Sequence, residues 1–391
     1  MAQDTNAKIL VIDDEVALLQ NIVVYLQDSG FIVKSAANGK EGLEIFDEYQ
    51  PDLVLTDIHM PALSGLEVLH AIVKKSPDTP VIVISGAGEI NDAISALRFG
   101  AWDYITKPIA NLQVLEHAFK KALQTKKLQQ ENAQYAQRIA HNLKMLEEDQ
   151  AAGRKVQLTL LPAEKMQINN IAFNFKIFPS LELSGDFVEY FKISDHLTGV
   201  YIADVSGHGA SSAFITILLK SIIAKYQVHY TAGKDDIIAY PEQLMSAVSQ
   251  DIFISKLGKY LTLIYGVINT STSEFTYVVA GHYPGIILYT AAGVTKFLDG
   301  EGFPIGIMAN AAYESQTIKL HSGDHLVMLS DGVMEVFMPG KNLSQKEEGL
   351  LLAVQTSKGD LAAILKGCDI NNSKTDIQQP DDITILVISY L

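Results

Sequence analysis

Two sets of acidic residues in this chain could do chemistry, and each has its members at the ends of short apolar runs. Asp13 and Asp14 follow residues 8–12, Asp57 follows 53–56, Ser85 follows 81–84, and Lys107 comes just after 102–105. In the second half, Asp186 precedes 187–193, Asp204 follows 199–203, Asp331 comes just after 325–329, and Asp381-Asp382 precede 383–388. Singly, each is an ordinary helix cap or a turn residue beside Gly or Ser. Gathered at strand ends, like charges raise one another's pKa unless a cation joins them. A hard divalent ion with oxygen ligands answers the first set, with Mg²⁺ the natural choice. The second set suits a two-metal centre of Mn²⁺ or Mg²⁺, which lowers the pKa of the water between the ions. No cysteine and histidine set suits zinc, and Cys368 is the sole cysteine.

The elements that must position these residues follow from periodicity. Strand-like runs at 8–12, 31–35, 53–56, 81–84 and 102–105 alternate with amphipathic stretches at 16–27, 40–49, 65–75 and 89–99. That alternation predicts a doubly wound parallel α/β sheet with its chemistry beyond the carboxyl ends of the strands. Residues 156–391 read differently, with strands at 172–178, 187–193, 199–203, 261–269, 275–280, 285–289, 325–329 and 383–388. Helical patterns there fall at 210–225, 241–254 and 360–365, so a layered α/β fold with substantial antiparallel pairing is expected.

Between the halves, residues 111–152 contain neither proline nor glycine. Leu128, Asn132, Tyr135, Ile139, Asn142 and Leu146 alternate four-three spacings, which is a heptad seam. A parallel homodimeric coiled coil is preferred over one long helix lying on its own domains, and Gly153 is expected to end the helix. The domains are therefore drawn at 1–125, 126–155 and 156–391.

Composition excludes several classes of function. With 391 residues and 48% hydrophobic content the chain can bury two or three cores. A net charge of -15 gives no general attraction to nucleic acid or anionic membrane. The first seven residues lack an apolar signal core, no run reaches membrane-spanning length, and no disulfide is possible, which together point to the cytoplasm.

Residues 6–125 resemble the receiver domains of response regulators, through Asp13-Asp14, Asp57 in "LTDIHMP", Ser85 in "VISGAG" and Lys107-Pro108 in "YITKPI". The resemblance implies that Asp57 accepts a phosphoryl group from a sensor histidine kinase or another phosphodonor. It implies that Asp13, Asp14, Asp57 and the backbone carbonyl of His59 hold Mg²⁺. Lys107 and Ser85 would contact the phosphoryl oxygens, Tyr104 would be the aromatic switch, and the Lys107–Pro108 bond would be cis. From Leu160 onward the chain resembles the SpoIIE-type branch of the PP2C-like phosphatases, a flavodoxin-like receiver thus preceding a PP2C-like α/β sandwich. The carrying stretches are "SGDF", "ADVSGHG", "LTLIYGVIN", "VVAGHYPG", "GFPIGI", "MLSDGVME" and "PDDITILVI". That family implies Asp204 bridging two ions, the Val205 carbonyl on one, and Asp331 with Asp381 or Asp382 on the other, Asp381 preferred. Asp186 would hold metal-bound water. Ser184 stands where the family has glycine, His208 is at a family position often held by Lys or His and is not expected to be a general acid, and His282 is expected to be structural.

The arrangement of receiver, long helix and SpoIIE-like domain is similar to RssB-type response regulators of gammaproteobacteria, and particular stretches look like the non-enteric branch. In the enteric branch the phosphatase-like domain has lost its acids and delivers the stationary-phase sigma factor to a protease. Two functions follow. One is a phosphorylation-gated serine/threonine protein phosphatase whose substrate is a phosphorylated anti-sigma factor antagonist. The other is a non-enzymatic adaptor for the stationary-phase sigma factor. The retained acids favour the enzyme. No basic helix follows the receiver, so DNA binding is not expected.

Overall fold

The computed structural model describes residues 6–86, 90–109, 111–207, 209–370 and 380–391, and the chain divides into two compact units, Met1–Leu143 and Lys144–Leu391. His208 lies outside the described residues.

In the first unit, β1 (Lys8–Ile12), α1 (Val16–Asp28), β2 (Ile32–Ala36), α2 (Gly39–Tyr49) and β3 (Leu53–Asp57) are followed by α3 (Gly65–Lys75), β4 (Val81–Ser85), α4 (Ile90–Arg98) and β5 (Asp103–Thr106). The strands form one parallel sheet in the order β2-β1-β3-β4-β5. Leu10, Ile12, Val54 and Val83 pack toward Phe46, Val68 and Ile72, whereas Ile9, Val11, Leu55 and Ile84 pack toward Ile22, Leu26 and Phe119. Burial on both faces explains why β1, β3 and β4 read as continuous apolar runs. Local caps set the helix starts. The Asn38 side chain accepts from Glu41 N, and Ser64 with Glu67 closes a reciprocal capping box.

The next helix, α5, runs unbroken from Gln113 to Leu160, 48 residues. Its start belongs to the receiver core, where Leu115, Ala118, Phe119 and Ala122 are buried. Residues 127–152 are exposed all round, so this stretch packs on neither core. Gly153 does not end the helix, contrary to expectation. It lies inside α5 against Leu183, and the helix stops only ahead of Pro162, the residue that cannot continue it.

The second unit stacks helices, two antiparallel sheets and helices. One sheet has the order β14-β11-β10-β9-β8, comprising β8 (Asp186–Lys192), β9 (Leu197–Val205), β10 (Leu261–Asn269), β11 (Glu274–Ala280) and β14 (Gln316–Lys319). The other has the order β13-β12-β15-β16-β7-β6, comprising β6 (Lys165–Ile168), β7 (Ile171–Phe178), β12 (Ile287–Tyr289), β13 (Thr295–Phe297), β15 (His325–Leu329) and β16 (Ile383–Tyr390). Phe173, Tyr190, Ile202, Ile264, Met328 and Leu386 fill the space between the sheets. The outer face of the first sheet is covered by α6 (Ala210–Thr231) and α7 (Pro241–Ser255). That of the second is covered by α8 (Gly332–Val336), α9 (Leu343–Ser357) and α10 (Leu361–Gly367). Successive residues of β9 alternate between the two layers, Val200 and Ile202 inward and Tyr201 and Ala203 toward α6 and α7. The α/β layering and antiparallel pairing agree with the sequence reading, but β6, β13, β14, α8 and α9 were not anticipated. The three strands are only 3–4 residues long, and α9 carries few buried apolar residues. Among the described residues no helix is long and apolar enough to cross a membrane.

Candidate functional sites

The receiver strand order reverses between β1 and β3, and a doubly wound sheet opens its ligand crevice at that point. Asp13 and Asp14 leave β1 there, and Asp57 ends β3. One oxygen from each of these three carboxylates lies within 4.8 Å of the others. Asp13 and Asp57 are buried and Asp14 is exposed. Lys107 Nζ sits 2.7 Å from Asp57 Oδ2, 3.0 Å from Asp13 Oδ2 and 3.9 Å from Glu15 Oε2. The Lys107 amide donates to the Ser85 carbonyl at 2.7 Å, which ties the ends of β4 and β5 together beside the site. Burial pushes the Asp13 carboxyl up, and this outweighs the Glu15 amide and Lys107. Burial lowers the Lys107 ammonium, but its bonds to Asp57 and Asp13 leave it above its ordinary value. The Lys107–Pro108 bond is cis. Tyr104 is 44% exposed on β5, and the His59 ring reaches away to Asp92 on α4, Nε2 to Oδ2 2.9 Å. One ammonium among three carboxylates leaves negative charge that a divalent cation fits.

In the second unit, Asp186 opens β8 and Asp204 lies near the end of β9, directly opposite in the antiparallel register. Like charges so placed repel. The Asp186 carboxyl is buried, and its pKa is held well above the ordinary range by burial and then by the Asp204 charge. Its Oδ2 accepts from Thr384 Oγ1 at 2.6 Å, while its Oδ1 is buried with no hydrogen-bond partner among the described residues. The Asp204 carboxyl is pushed to about 7 by burial and by the charges of Asp331, Asp381 and Asp382. Asp331 is raised as well, by burial and then by Asp381 and Glu335. Asp331 reaches this group because Gly332 lets the chain pass against Asp382, whose carbonyl would lie 2.0 Å from a Cβ at that position. Val205 ends β9 with its amide donating to the Gly185 carbonyl at 3.2 Å. These carboxylates therefore act on one another's charge, although among the described residues only Asp13, Asp14 and Asp57 close to 4.8 Å. Buried carboxylates that hold one another's pKa up, with an oxygen left unpartnered among the described residues, are an arrangement that cations fit.

The two adjacent acids differ. Asp382 is buried with both oxygens engaged, Oδ1 by Ser180 N (2.7 Å) and Ser180 Oγ (2.8 Å), Oδ2 by Ser184 Oγ (2.9 Å) and Gly185 N (2.6 Å). Asp381 is half-buried, and among the described residues the hydrogen bond to it comes from its neighbour's amide, Asp382 N to Oδ1 at 2.8 Å. Ser184, read in sequence as a tolerated departure, thus donates to Asp382 and accepts from Asp186 N at 3.0 Å. His282 is buried, with Nδ1 2.8 Å from Thr262 Oγ1 and Nε2 3.0 Å from the Leu329 carbonyl, a structural placement. Burial lowers it to about 4. Sequence reading missed Thr384, which lies within "PDDITILVI" but was not singled out there, and Ser180 and Gln157, which lie outside every quoted motif; all three act only through tertiary neighbours.

The sequence profile of Stage II sporulation protein E (SpoIIE) matches residues 194–391, half of the chain. The chain belongs to the SpoIIE family. Ahead of that SpoIIE region, residues 9–120 match the response regulator receiver domain. The chain is 23% identical over 304 residues to the "Regulator of RpoS" of Escherichia coli K12, covering 78% of this chain and 89% of that protein. It is 40% identical over 126 residues to a "Putative response regulator NtrX-like" of Rickettsia felis, covering 32% of this chain and 26% of that one. The SiaA-PP2C domain of Pseudomonas aeruginosa superposes with a TM-score of 0.51 at 18% identity, over 64% of this chain and 99% of that one, a likeness of fold.

Proposed function

We propose that this SpoIIE-family chain is a response regulator in which phosphorylation of Asp57 controls a metal-dependent phosphoserine/phosphothreonine protein phosphatase. The observation that carries the reading is the self-repelling carboxylate group: Asp186, buried with one oxygen unpartnered among the described residues, stands opposite Asp204 at about 7. A domain with no use for cations gains nothing from that repulsion.

In the receiver, Asp13, Asp14 and Asp57 with the His59 carbonyl would hold Mg²⁺. In the second unit, Asp204, Asp331 and Asp381 with the Val205 carbonyl would hold two Mn²⁺ or Mg²⁺ ions, leaving Asp382 to fix the loop before β8. Bound there, such ions neutralise phosphoryl oxygens and, as a pair, let water act as a nucleophile near neutral pH. Asp57 is the nucleophile toward the phosphodonor: a carboxylate oxygen bonds to phosphorus as the donor's own bond to that phosphorus breaks, leaving an acyl phosphate on Asp57 and the freed donor group. Lys107 then moves its contact from that carboxylate to the phosphoryl group, and Ser85 offers a hydroxyl to it. Tyr104, exposed on β5, is placed to change its surroundings when that group arrives. Asp186, held by Thr384, orients the attacking water through Oδ1. Water displaces the serine or threonine oxygen directly, so no phosphoenzyme forms in the second unit.

The chain would work in the cytoplasm as a homodimer through the exposed seam of α5, with a phosphorylated anti-sigma factor antagonist as substrate. Likeness to the Regulator of RpoS along most of both chains supports a second reading, an adaptor for the stationary-phase sigma factor. Phosphate release from a serine-phosphorylated protein, with Mn²⁺ and then with chelator, separates them. Release that needs Mn²⁺ and changes with acetyl phosphate is expected, and none under either condition leaves the adaptor.

A further inference from the structure

The last turns of α5 carry a stripe of contacts onto the segment that leads into Asp186. Gly153 lies against Leu183, and Arg154 Nη1 is 3.1 Å from Glu182 Oε2. One turn on, Gln157 is 95% buried, its Nε2 donating to the Ser184 carbonyl at 2.7 Å and meeting Thr216 Oγ1 at 3.4 Å, while its Oε1 accepts from Ser184 N at 3.2 Å. At the helix end the Leu160 carbonyl accepts from Lys220 Nζ at 2.7 Å, and Lys220 pairs with Glu189 of β8. Thr216 and Lys220 are four residues apart and so share a face of α6. The Gln157 amide therefore fulfils both backbone groups of Ser184, as a strand partner would. Ser184 Oγ in turn bridges Asp382 Oδ2 and Asp186 N.

We infer that Gln157 is a positioning residue for the phosphatase site, acting through Ser184 to hold Asp186 in place and coupling the end of α5 to the carboxylates. The inference rests on the phosphatase reading for its consequence, though not for its geometry. The bridge is rigid because each of its groups is buried, and an unmet backbone N–H or C=O there is costly. A rotation or axial shift of α5 cannot keep both Gln157 bonds to Ser184 unless the 182–186 segment moves with it. That segment carries Asp186, which stands opposite Asp204 in the β8–β9 register. The helix end is thus an input to the site, independent of what moves the helix.

Gln157→Met in the full chain keeps the length and volume of the side chain and removes the amide. Amide hydrogen exchange in chelator should be at least tenfold faster across residues 183–186. Titration calorimetry should show Mn²⁺ binding at least tenfold weaker. Leu350→Ala, in the helix layer on the other sheet, is the control for lost stability and should change neither quantity. Gln157→Glu, which keeps the acceptor and loses the donor, should fall between wild type and Met, and carries the same readouts should the Met variant fail to fold. Exchange and Mn²⁺ affinity equal to wild type in a folded Gln157 variant, or an equal change in Leu350→Ala, overturns the inference. If wild type itself binds no Mn²⁺, the phosphatase reading fails and the exchange measurement alone decides the role of Gln157.

Discussion

Replacing Asp204 by Asn should make the metal-free protein more stable, although it removes a residue central to the proposed activity. Asp204 titrates near 7 in the fold against an ordinary 3.8. Between those values the folded chain holds a proton that the unfolded chain has released. Stability therefore falls as pH rises through this window, and the loss is complete above about 7. At ~1.4 kcal/mol per pH unit, the gap corresponds to about 4 kcal/mol of burial cost and repulsion from Asp331, Asp381 and Asp382. Asn keeps the shape and drops the charge, so at pH 8 in chelator it should recover much of that amount. Urea unfolding of the second unit, followed by far-ultraviolet circular dichroism at pH 5 and pH 8, measures it. Wild type should lose stability between the two pH values, and Asp204→Asn should lose less. Mn²⁺ should reverse the ranking at pH 8, because only wild type has the charge to hold it. An Asn variant no more stable than wild type at pH 8, together with a wild type indifferent to pH, would refute the electrostatic argument.

Acetyl phosphate with Mg²⁺ should add one phosphate to wild type by intact mass, and Asp57→Ala should gain none; equal labelling of the variant removes Asp57 as acceptor. Ile139→Asp, which puts a charge into the seam, should halve the mass seen by light scattering at micromolar concentration; a wild type already monomeric ends the coiled-coil reading. His282, held near 4 by burial against an unfolded value of 6.5, must gain a proton when the fold opens in acid. Stability should thus drop as pH falls from 6.5 to 4, by up to about 3 kcal/mol, and His282→Gln should lack that component in denaturant titrations. This slope is opposite to that of Asp204, so the single variants separate the two.

The receiver could be read from sequence almost complete. β1, α3 and the positions of Asp13, Asp57 and Lys107 are visible because a parallel sheet buried on both faces forces continuous apolar runs. Its polar residues can then stand only at the ends. In the second unit, β10 and β15 were equally plain, but the short edge strands β6, β13 and β14 were not. Three or four residues do not establish a period. Two questions were decided only by tertiary structure. Asp381 and Asp382 are alike as neighbours in sequence, and they separate only when Ser180, Ser184 and Gly185 close around Asp382. Gln157 reads as one more polar residue in a helix rich in them. It becomes an internal strut because the end of α5 docks where the Ser184 backbone has no strand to pair with. Hydrophobic pattern is local and survives in one dimension, whereas hydrogen-bond satisfaction of a buried group depends on partners 27 to 202 residues away and exists only in the fold.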